Sequence, residues 1–302
     1  MEQGVVDAGS LPGGFDLQAT VESGQTYLWN RVDGTTYETD APYGGDAWYW
    51  TTFRPDGRAE PVPLEARQVG DRLEWRSTVD ARPRLEHWLR LDDDLPAIVA
   101  ASPDDRLIGD AWDAYRGMRL VRDPPFASLV SFICSAQMRV GRIHGMQRAL
   151  REAYGETVHL GDREYHAFPT PGTLAAATEA ELRDLGLGYR APYVQRTAEM
   201  VATGESHPAD ARDREYEAAR EFLTRFVGVG QKVADCVLLF SLGYLEAVPL
   251  DTWIRRTIDE HYPDCERGSY AETSRAIRER LGGEYAGYVQ TYLFHYLRNG
   301  GG

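Results

Sequence analysis

The spacing of apolar residues along the chain changes near residue 95. Before it, stretches near 15–21, 26–31, 47–54 and 72–79 are rich in Trp, Tyr, Thr, Val and Phe. Turn signals separate them: Asp33-Gly34, Gly44-Gly45, Asp56-Gly57 and Gly70-Asp71. This pattern predicts antiparallel strands joined by hairpins. The run 84–91 alternates and is predicted as one more strand. A boundary follows at Asp92-Asp93-Asp94-Leu95-Pro96. Beyond it the apolar period becomes helical. The predicted helices are 95–101, 105–116, 124–137, 140–154, 171–185, 190–203, 213–226, 230–242, 251–261, 269–281 and 285–298. Two of them open on Pro near the first helical position, at Asp123-Pro124-Pro125 and Pro171-Gly172-Thr173. No internal repeat or long low-complexity tract is present. The expected class is α+β: an antiparallel β-rich N-terminal domain over 1–94 and an all-helical domain over 95–302.

Composition narrows the function classes. The 302 residues are 42% hydrophobic and 11% aromatic, enough for real cores and too much for a disordered acidic chain. No stretch approaches the ~18 apolar residues of a membrane span. The opening MEQGVVDAGSLPGG lacks the basic and apolar regions of a signal peptide. The expectation is a soluble intracellular, cytoplasmic protein. Cys134, Cys236 and Cys265 are scattered and odd in number, which argues against a disulfide framework and falls short of an iron–sulfur ligand set. With no CxxC and no HxxxH, no metal site is expected.

A net charge of −14 argues at first against a polyanionic partner. Its distribution says otherwise. Residues 1–105 carry −11, and residues 106–302 only −3. Within 114–151 stand seven Arg (116, 119, 122, 139, 142, 148, 151) against one acid, Asp123. Such an island is either a solvated helix face or a binding surface. The cations are 32 Arg and one Lys, Lys232. With the surplus of Asp, this bias resembles that of proteins from salt-accumulating archaea. At ~1 M salt the Debye length is ~3 Å, so an acidic surface there does not repel DNA at range.

The chemistry concentrates in 219–258, AREFLTRFVGVGQKVADCVLLFSLGYLEAVPLDTWIRRTI. One helix runs into Val227-Gly228-Val229-Gly230, and the next starts at Gln231-Lys232. Gly228 and Gly230 permit a tight turn that leaves the second helix's first N–H groups open to a phosphate. A GxG between helices also reads as a plain hairpin turn. Asp251 precedes Thr-Trp-Ile-Arg-Arg and reads either as an N-cap alone or as a functional carboxylate. Lys232 is the informative neighbour. A buried Lys can be a nucleophile that forms a Schiff base, and Arg cannot. In a chain that otherwise uses Arg, a single Lys is what a required amine looks like.

The hairpin (219–242), Lys232 and Asp251 together resemble the helix-hairpin-helix DNA glycosylase superfamily, and more narrowly its eukaryotic-type 8-oxoguanine glycosylase/lyases. VGVGQKVADC and EAVPLD match the lysine and aspartate motifs. SFICSAQMRVGRIHGM (131–146) matches the duplex-invading segment, and LGLGYRAPYV (185–194) a second DNA-contact loop. YHAFPT, YAGYVQTYLF and ESGQTYLW match further signatures, the last being the turn that touches the damaged base. The likeness spans about residues 15 to 298.

The resemblance implies a bifunctional glycosylase/AP lyase acting on double-stranded DNA that contains oxidised guanine. It implies that Lys232 attacks the sugar C1′ and expels the base, and that the Schiff base permits β-elimination. Asp251 would stabilise the positive sugar. The damaged nucleotide would leave the stack. The Gly24 carbonyl would accept the N7–H that guanine lacks, Cys236 and Phe294 would sandwich the base, and Gln290 would read its pairing edge. Arg142 and Arg190 would contact the orphaned cytosine, Tyr189 would wedge beside it, and Gln137 would fill the vacated space. Gly228 and Gly230 would present amides to a phosphate. No catalytic metal or organic cofactor is implied; a monovalent cation at the hairpin carbonyls is. The chain is expected to act as a monomer, nucleoid-associated when on DNA. It departs from the pattern at Val227, where Pro is usual, at Gln137-Met138-Arg139 in place of consecutive Asn, and at Trp253 in place of His. The first of these bears on the turn, the second on opposite-base preference. Two alternatives stand beside this reading: a superfamily glycosylase with another damaged-base range, and a non-catalytic helix-hairpin-helix binding protein. The latter needs neither Lys232 nor Asp251. The absence of a cysteine cluster argues against the endonuclease III-type branch, and Lys232 against the alkylbase branch.

Overall fold

The computed structural model describes residues 1–38 and 44–301. Its N-terminal part contains strands β1 (Glu2–Asp7), β2 (Asn30–Arg31), β3 (Tyr49–Phe53), β4 (Val62–Val69) and β5 (Arg72–Ser77), with helices α1 (Leu17–Glu22) and α2 (Arg82–Trp88). The strands form one antiparallel sheet in the order β1-β5-β4-β3-β2. Period-2 alternation builds its inner face. Tyr49, Thr51 and Phe53 are buried opposite Ala66, Leu64 and Val62, while Trp50 and Thr52 point outward. Leu73 and Trp75 continue the face and pack with Phe15, Leu17, Val21, Trp29, Leu85 and Leu89.

Two predicted strands are helices. The run Phe15, Leu17, Ala19, Val21 alternates in sequence, yet 17–22 is α1, capped by Asp16, whose carboxylate accepts from the Ala19 N–H at 2.8 Å. The alternation misleads because α1 is wedged between two cores. Leu17 and Val21, at i and i+4, face the sheet, and Ala19 faces the helical part. The run 84–91 misleads likewise: Leu85, Trp88 and Leu89 form one buried helical stripe of α2, entered through Pro83. Of 26–31 only Asn30–Arg31 is strand. The strand β1 carries a weak apolar signal because it lies at the sheet edge with one buried residue, Val6.

From Leu95 the chain is mostly helical: α3 (Leu95–Ala101), α4 (Arg106–Ala114), α5 (Pro125–Cys134), α6 (Val140–Tyr154), α7 (Pro171–Ala176), α8 (Glu179–Leu182), α9 (Ala191–Ala202), α10 (Tyr216–Leu223), α11 (Gln231–Val237), α12 (Thr252–His261), α13 (Tyr270–Arg280) and α14 (Ala286–Arg298). Between α6 and α7 lies a hairpin the sequence did not suggest, β6 (Thr157–Leu160) and β7 (Arg163–His166). It docks on the outer face of the sheet. Tyr165 stacks on Trp50 at 4.6 Å between ring centres, and the fully buried Glu65 accepts from Arg76, Arg163 and Tyr165. Arg119 ties the two parts from within, donating to the carbonyls of Arg90 (2.9 Å), Asp93 (2.7 Å), Pro12 (2.8 Å) and Gly14 (3.0 Å).

This resolves the basic island. Arg119 and Arg151 are buried struts, and Arg116, Arg122 and Arg148 pair with Asp113, Asp92 and Glu152. Only Arg139 and Arg142 stand exposed without a carboxylate or carbonyl partner among the described residues.

Candidate active site

The turn between α10 and α11 is built on Gly228. Its φ of +83 is left-handed, and a Cβ there would lie 2.7 Å from the Tyr193 ring. Gly230 is the N-cap of α11, and no side chain caps that end. The leading N–H groups of α11 are therefore open to an acceptor from outside the chain. Val227 is exposed, and its carbonyl accepts from Thr197 Oγ1 at 3.2 Å.

Lys232 sits in the first turn of α11 and points into a cleft of ≈ 860 Å³. Its Nζ donates to Ser135 Oγ at 3.0 Å, at the end of α5, and lies 5.8 Å from the centre of the Phe132 ring. Asp251 lines the same cleft from the start of α12. It is an N-cap, accepting from the Ile254 N–H at 2.8 Å, so the capping reading is correct as far as it goes. It is half-buried, and its desolvation pushes the carboxyl up, while the Lys232 charge and the Ile254 and Trp253 N–H groups pull it back. One group thus holds a helix end and faces an amine.

A buried network fixes the two relative to each other. Asp235, one turn after Lys232, accepts from the hydroxyls of Tyr216 at 2.7 Å and Tyr270 at 2.8 Å. The Tyr270 oxygen accepts in turn from the Leu250 N–H at 3.1 Å, immediately before Asp251.

The cleft is lined by apolar and polar side chains together. Gly24, Cys236, Gln290 and Phe294 all line it, together with Tyr27, Phe132, Phe240 and Leu250. These come from the turn after α1, from α11 and from α14, so folding joins the two ends of the chain here. Burial pushes the Cys236 thiol up to about 12, which keeps it a neutral wall despite the nearby Lys232 charge. Cys134 and Cys265 are likewise buried and unpaired. The Gln290 amide donates to Thr291 Oγ1 at 2.7 Å and is 4% exposed.

The rim carries the other expected residues. Gln137 lies between α5 and α6 with φ +56, a backbone conformation that costs a non-glycine residue about 1 kcal/mol or more. Met138 beside it is an exposed apolar side chain, as are Tyr189 and Val227 on the neighbouring loops. Arg142 is exposed and lies against Gly186. Arg190 is placed differently from Arg142. It is buried, stacks under Tyr189 at 4.3 Å and donates to the Ala136 carbonyl, so it braces the Gln137 turn from below rather than facing solvent. Reading the sequence missed Ser135, although it lies inside the quoted segment 131–146. It also missed Arg298, whose partners come from the far end of the chain.

Residues 130–282 match the HhH-GPD family, described as the HhH-GPD superfamily base excision DNA repair protein. The chain is 32% identical to a probable N-glycosylase/DNA lyase of Methanothermobacter thermautotrophicus, over 96% of this chain and 95% of that protein. It is 36% identical to an N-glycosylase/DNA lyase of Saccharomyces cerevisiae, over 92% of this chain and 82% of that protein. Its fold matches the 8-oxoguanine glycosylase/lyase of Clostridium acetobutylicum in complex with double-stranded DNA containing cytosine opposite 8-oxoguanine. There the TM-score is 0.79 at 26% identity, covering 94% of this chain and 92% of that one.

Proposed function

Since the chain belongs to the HhH-GPD superfamily of base excision DNA repair proteins, we propose that it is a bifunctional N-glycosylase/DNA lyase removing 8-oxoguanine from duplex DNA. The observation that carries this reading is the pairing, in one cleft, of the only Lys of the chain with the half-buried carboxylate of Asp251. The remaining contacts are those that the family resemblance implies.

A base inside a duplex is out of reach of Lys232, so the nucleotide swings into the cleft. Nζ first gives its ammonium proton to solvent; the neutral amine then attacks C1′, the C1′–N9 bond breaks, and the base leaves with the bonding pair and takes up a proton. The charge developing on the sugar is matched by Asp251, whose ionised form Lys232 and two N–H groups favour. Loss of a proton from the amine and opening of the sugar ring give the Schiff base. Loss of a C2′ proton then expels the 3′ phosphate. In the elimination the protonated Schiff base is the electron sink, so the sequence of steps is complete without a metal or organic cofactor. The Gly24 carbonyl accepts N7–H of 8-oxoguanine. Guanine would leave that acceptor unpaired, which costs ~1–3 kcal/mol when buried. Cys236 and Phe294 hold the faces of the base, and Gln290 its pairing edge.

On the rim, Gln137 occupies the gap left by the flipped nucleotide, and Tyr189 wedges beside it. Arg142 reaches the orphaned cytosine directly, and Arg190 does so once it exchanges the Ala136 carbonyl for the base. The hairpin amides beyond Gly228 and Gly230 hold a backbone phosphate. A carbonyl has two lone pairs, so Val227, which accepts one bond from Thr197, keeps one for a monovalent cation. All of these groups come from one chain, so the site needs no second copy and a monomer suffices. Among the described residues no helix is long and apolar enough to cross a membrane. A DNA substrate places the protein inside the cell, with the nucleoid.

The test is a borohydride trap at high salt on a duplex with 8-oxoguanine opposite cytosine. The wild-type chain should give a covalent adduct and Lys232→Gln none. Binding without adduct or base release would instead support a non-catalytic binding protein.

A further inference from the structure

Two pieces of the cleft come from opposite ends of the chain: Gly24, in the turn after α1, and Phe294 on α14. One side chain joins them. Arg298, one turn beyond Phe294, donates from Nη1 to the Ser23 carbonyl at 3.0 Å and from Nη2 to the Glu22 carbonyl at 3.1 Å. Its guanidinium carbon lies 5.4 Å from the centre of the Phe294 ring. Nη2 also lies 3.0 Å from Nδ1 of the buried His295. Burial and the Arg298 charge push the His295 imidazole down to about 3, so the ring is neutral and Nδ1 can accept. Two carbonyls, an imidazole and a ring face therefore hold the guanidinium. Gly24 itself has φ +94, and a Cβ on it would meet Arg298 Nη1 at 3.1 Å and Phe294 Cε1 at 3.3 Å. Turn, guanidinium and ring are in mutual contact.

We propose that Arg298 is a positioning residue for base discrimination: it locks the Gly24 turn against Phe294 and so sets how well the cleft separates 8-oxoguanine from guanine. This rests on the reading of the cleft as the base pocket. A hydrogen bond weakens steeply with distance and angle, so an acceptor that decides between two bases through a single N–H must be held still. The planar fork of Arg reaches two adjacent carbonyls while lying near a ring; the single ammonium of Lys cannot do all three.

The experiment uses the full chain with Arg298→Met, which keeps the stem, and Arg298→Lys, which keeps the charge. Each is assayed by single turnover on two duplexes, one with 8-oxoguanine and one with a preformed abasic site, both opposite cytosine. Binding to the 8-oxoguanine duplex and to undamaged DNA is measured in parallel. Loss of charge-assisted bonds predicts that Arg298→Met excises 8-oxoguanine about 10–100-fold more slowly and loses binding preference to a similar degree. Arg298→Lys should fall between Arg298→Met and wild type. Cleavage at the abasic site has no base to position and should stay within about twofold. If Arg298→Met folds poorly, Arg298→Lys carries the same comparison, with abasic-site cleavage reporting its fold. Equal losses on both substrates, or no loss on 8-oxoguanine, overturn the proposal while leaving the pocket reading intact. A wild-type chain that cleaves the abasic duplex and leaves 8-oxoguanine in place overturns the pocket reading, and this proposal with it.

Discussion

The Lys232 amine donates to the Ser135 hydroxyl at 3.0 Å across 97 residues of sequence. Ser135 Oγ in turn donates to the Phe132 carbonyl at 2.7 Å, so its lone pairs face the amine. In the proposed reaction such a contact orients the attacking amine without binding DNA. Ser135→Ala should slow adduct formation by about 3–10-fold, the worth of one neutral hydrogen bond, and leave the KM for the damaged duplex unchanged. A matching loss of affinity would show that the serine acts in binding instead.

Asp251 caps α12 as well as facing Lys232, and the two roles separate in one variant. Asn is as good an N-cap as Asp but carries no charge. Asp251→Asn should therefore melt within a few degrees of wild type, yet excise 8-oxoguanine about 10²–10³-fold more slowly. A large fall in melting temperature with little kinetic effect would reduce Asp251 to its cap.

At Gly24 a methyl group would crowd Arg298 and Phe294 on a backbone that L-residues rarely adopt. Gly24→Ala should lower 8-oxoguanine excision about tenfold or more and spare cleavage of a preformed abasic site. Comparing the two substrates checks this, and a parallel loss on both would assign the glycine to folding alone.

Burial pushes the Asp123 carboxyl up to about 7, against the pull of the Thr26 hydroxyl and the Arg151 charge. The unfolded chain ionises this group near pH ~3.9. Its folded pKa is raised, so its favourable contribution is complete below about pH 4 and is lost as pH rises to about 7. Asp123→Asn should match wild type near pH 4 and exceed it increasingly up to pH 7, by about 2–4 kcal/mol, with no further gain above. Denaturant melts across that range measure the difference. His144, pushed down to about 4 by burial, is common to both proteins and cancels. A constant gap at all pH values would rule out titration of Asp123.

Much of the helical part was legible, and helices such as α4, α9 and α12 were so because each buries one stripe. Helices α3, α6 and α12 begin and end within a residue of where the apolar period places them. The failures fall where that one-sided logic breaks. Helix α1 is buried on all its residues, so its sequence carries no helical stripe. The β6–β7 hairpin is short and gains its burial from Trp50 and Glu65 on the sheet, which local sequence does not contain. The basic island looked like one surface and divides into two internal struts, three ion-paired arginines and two exposed ones, because an Arg that satisfies four backbone carbonyls has the same sequence signature as one on DNA.

The chain read in order already carried the α+β order of the fold, the hairpin around Gly228 and Gly230, and Lys232 as the one candidate amine. Local spacing, backbone freedom and the exclusion of every other Lys are properties of the chain read in order. Only the tertiary structure decided that Ser135 meets Lys232, that Arg190 braces a loop from beneath, and that Arg298 locks Gly24 to Phe294. Those contacts join positions far apart in sequence, and a hydrogen bond depends on tenths of an ångström that packing alone sets.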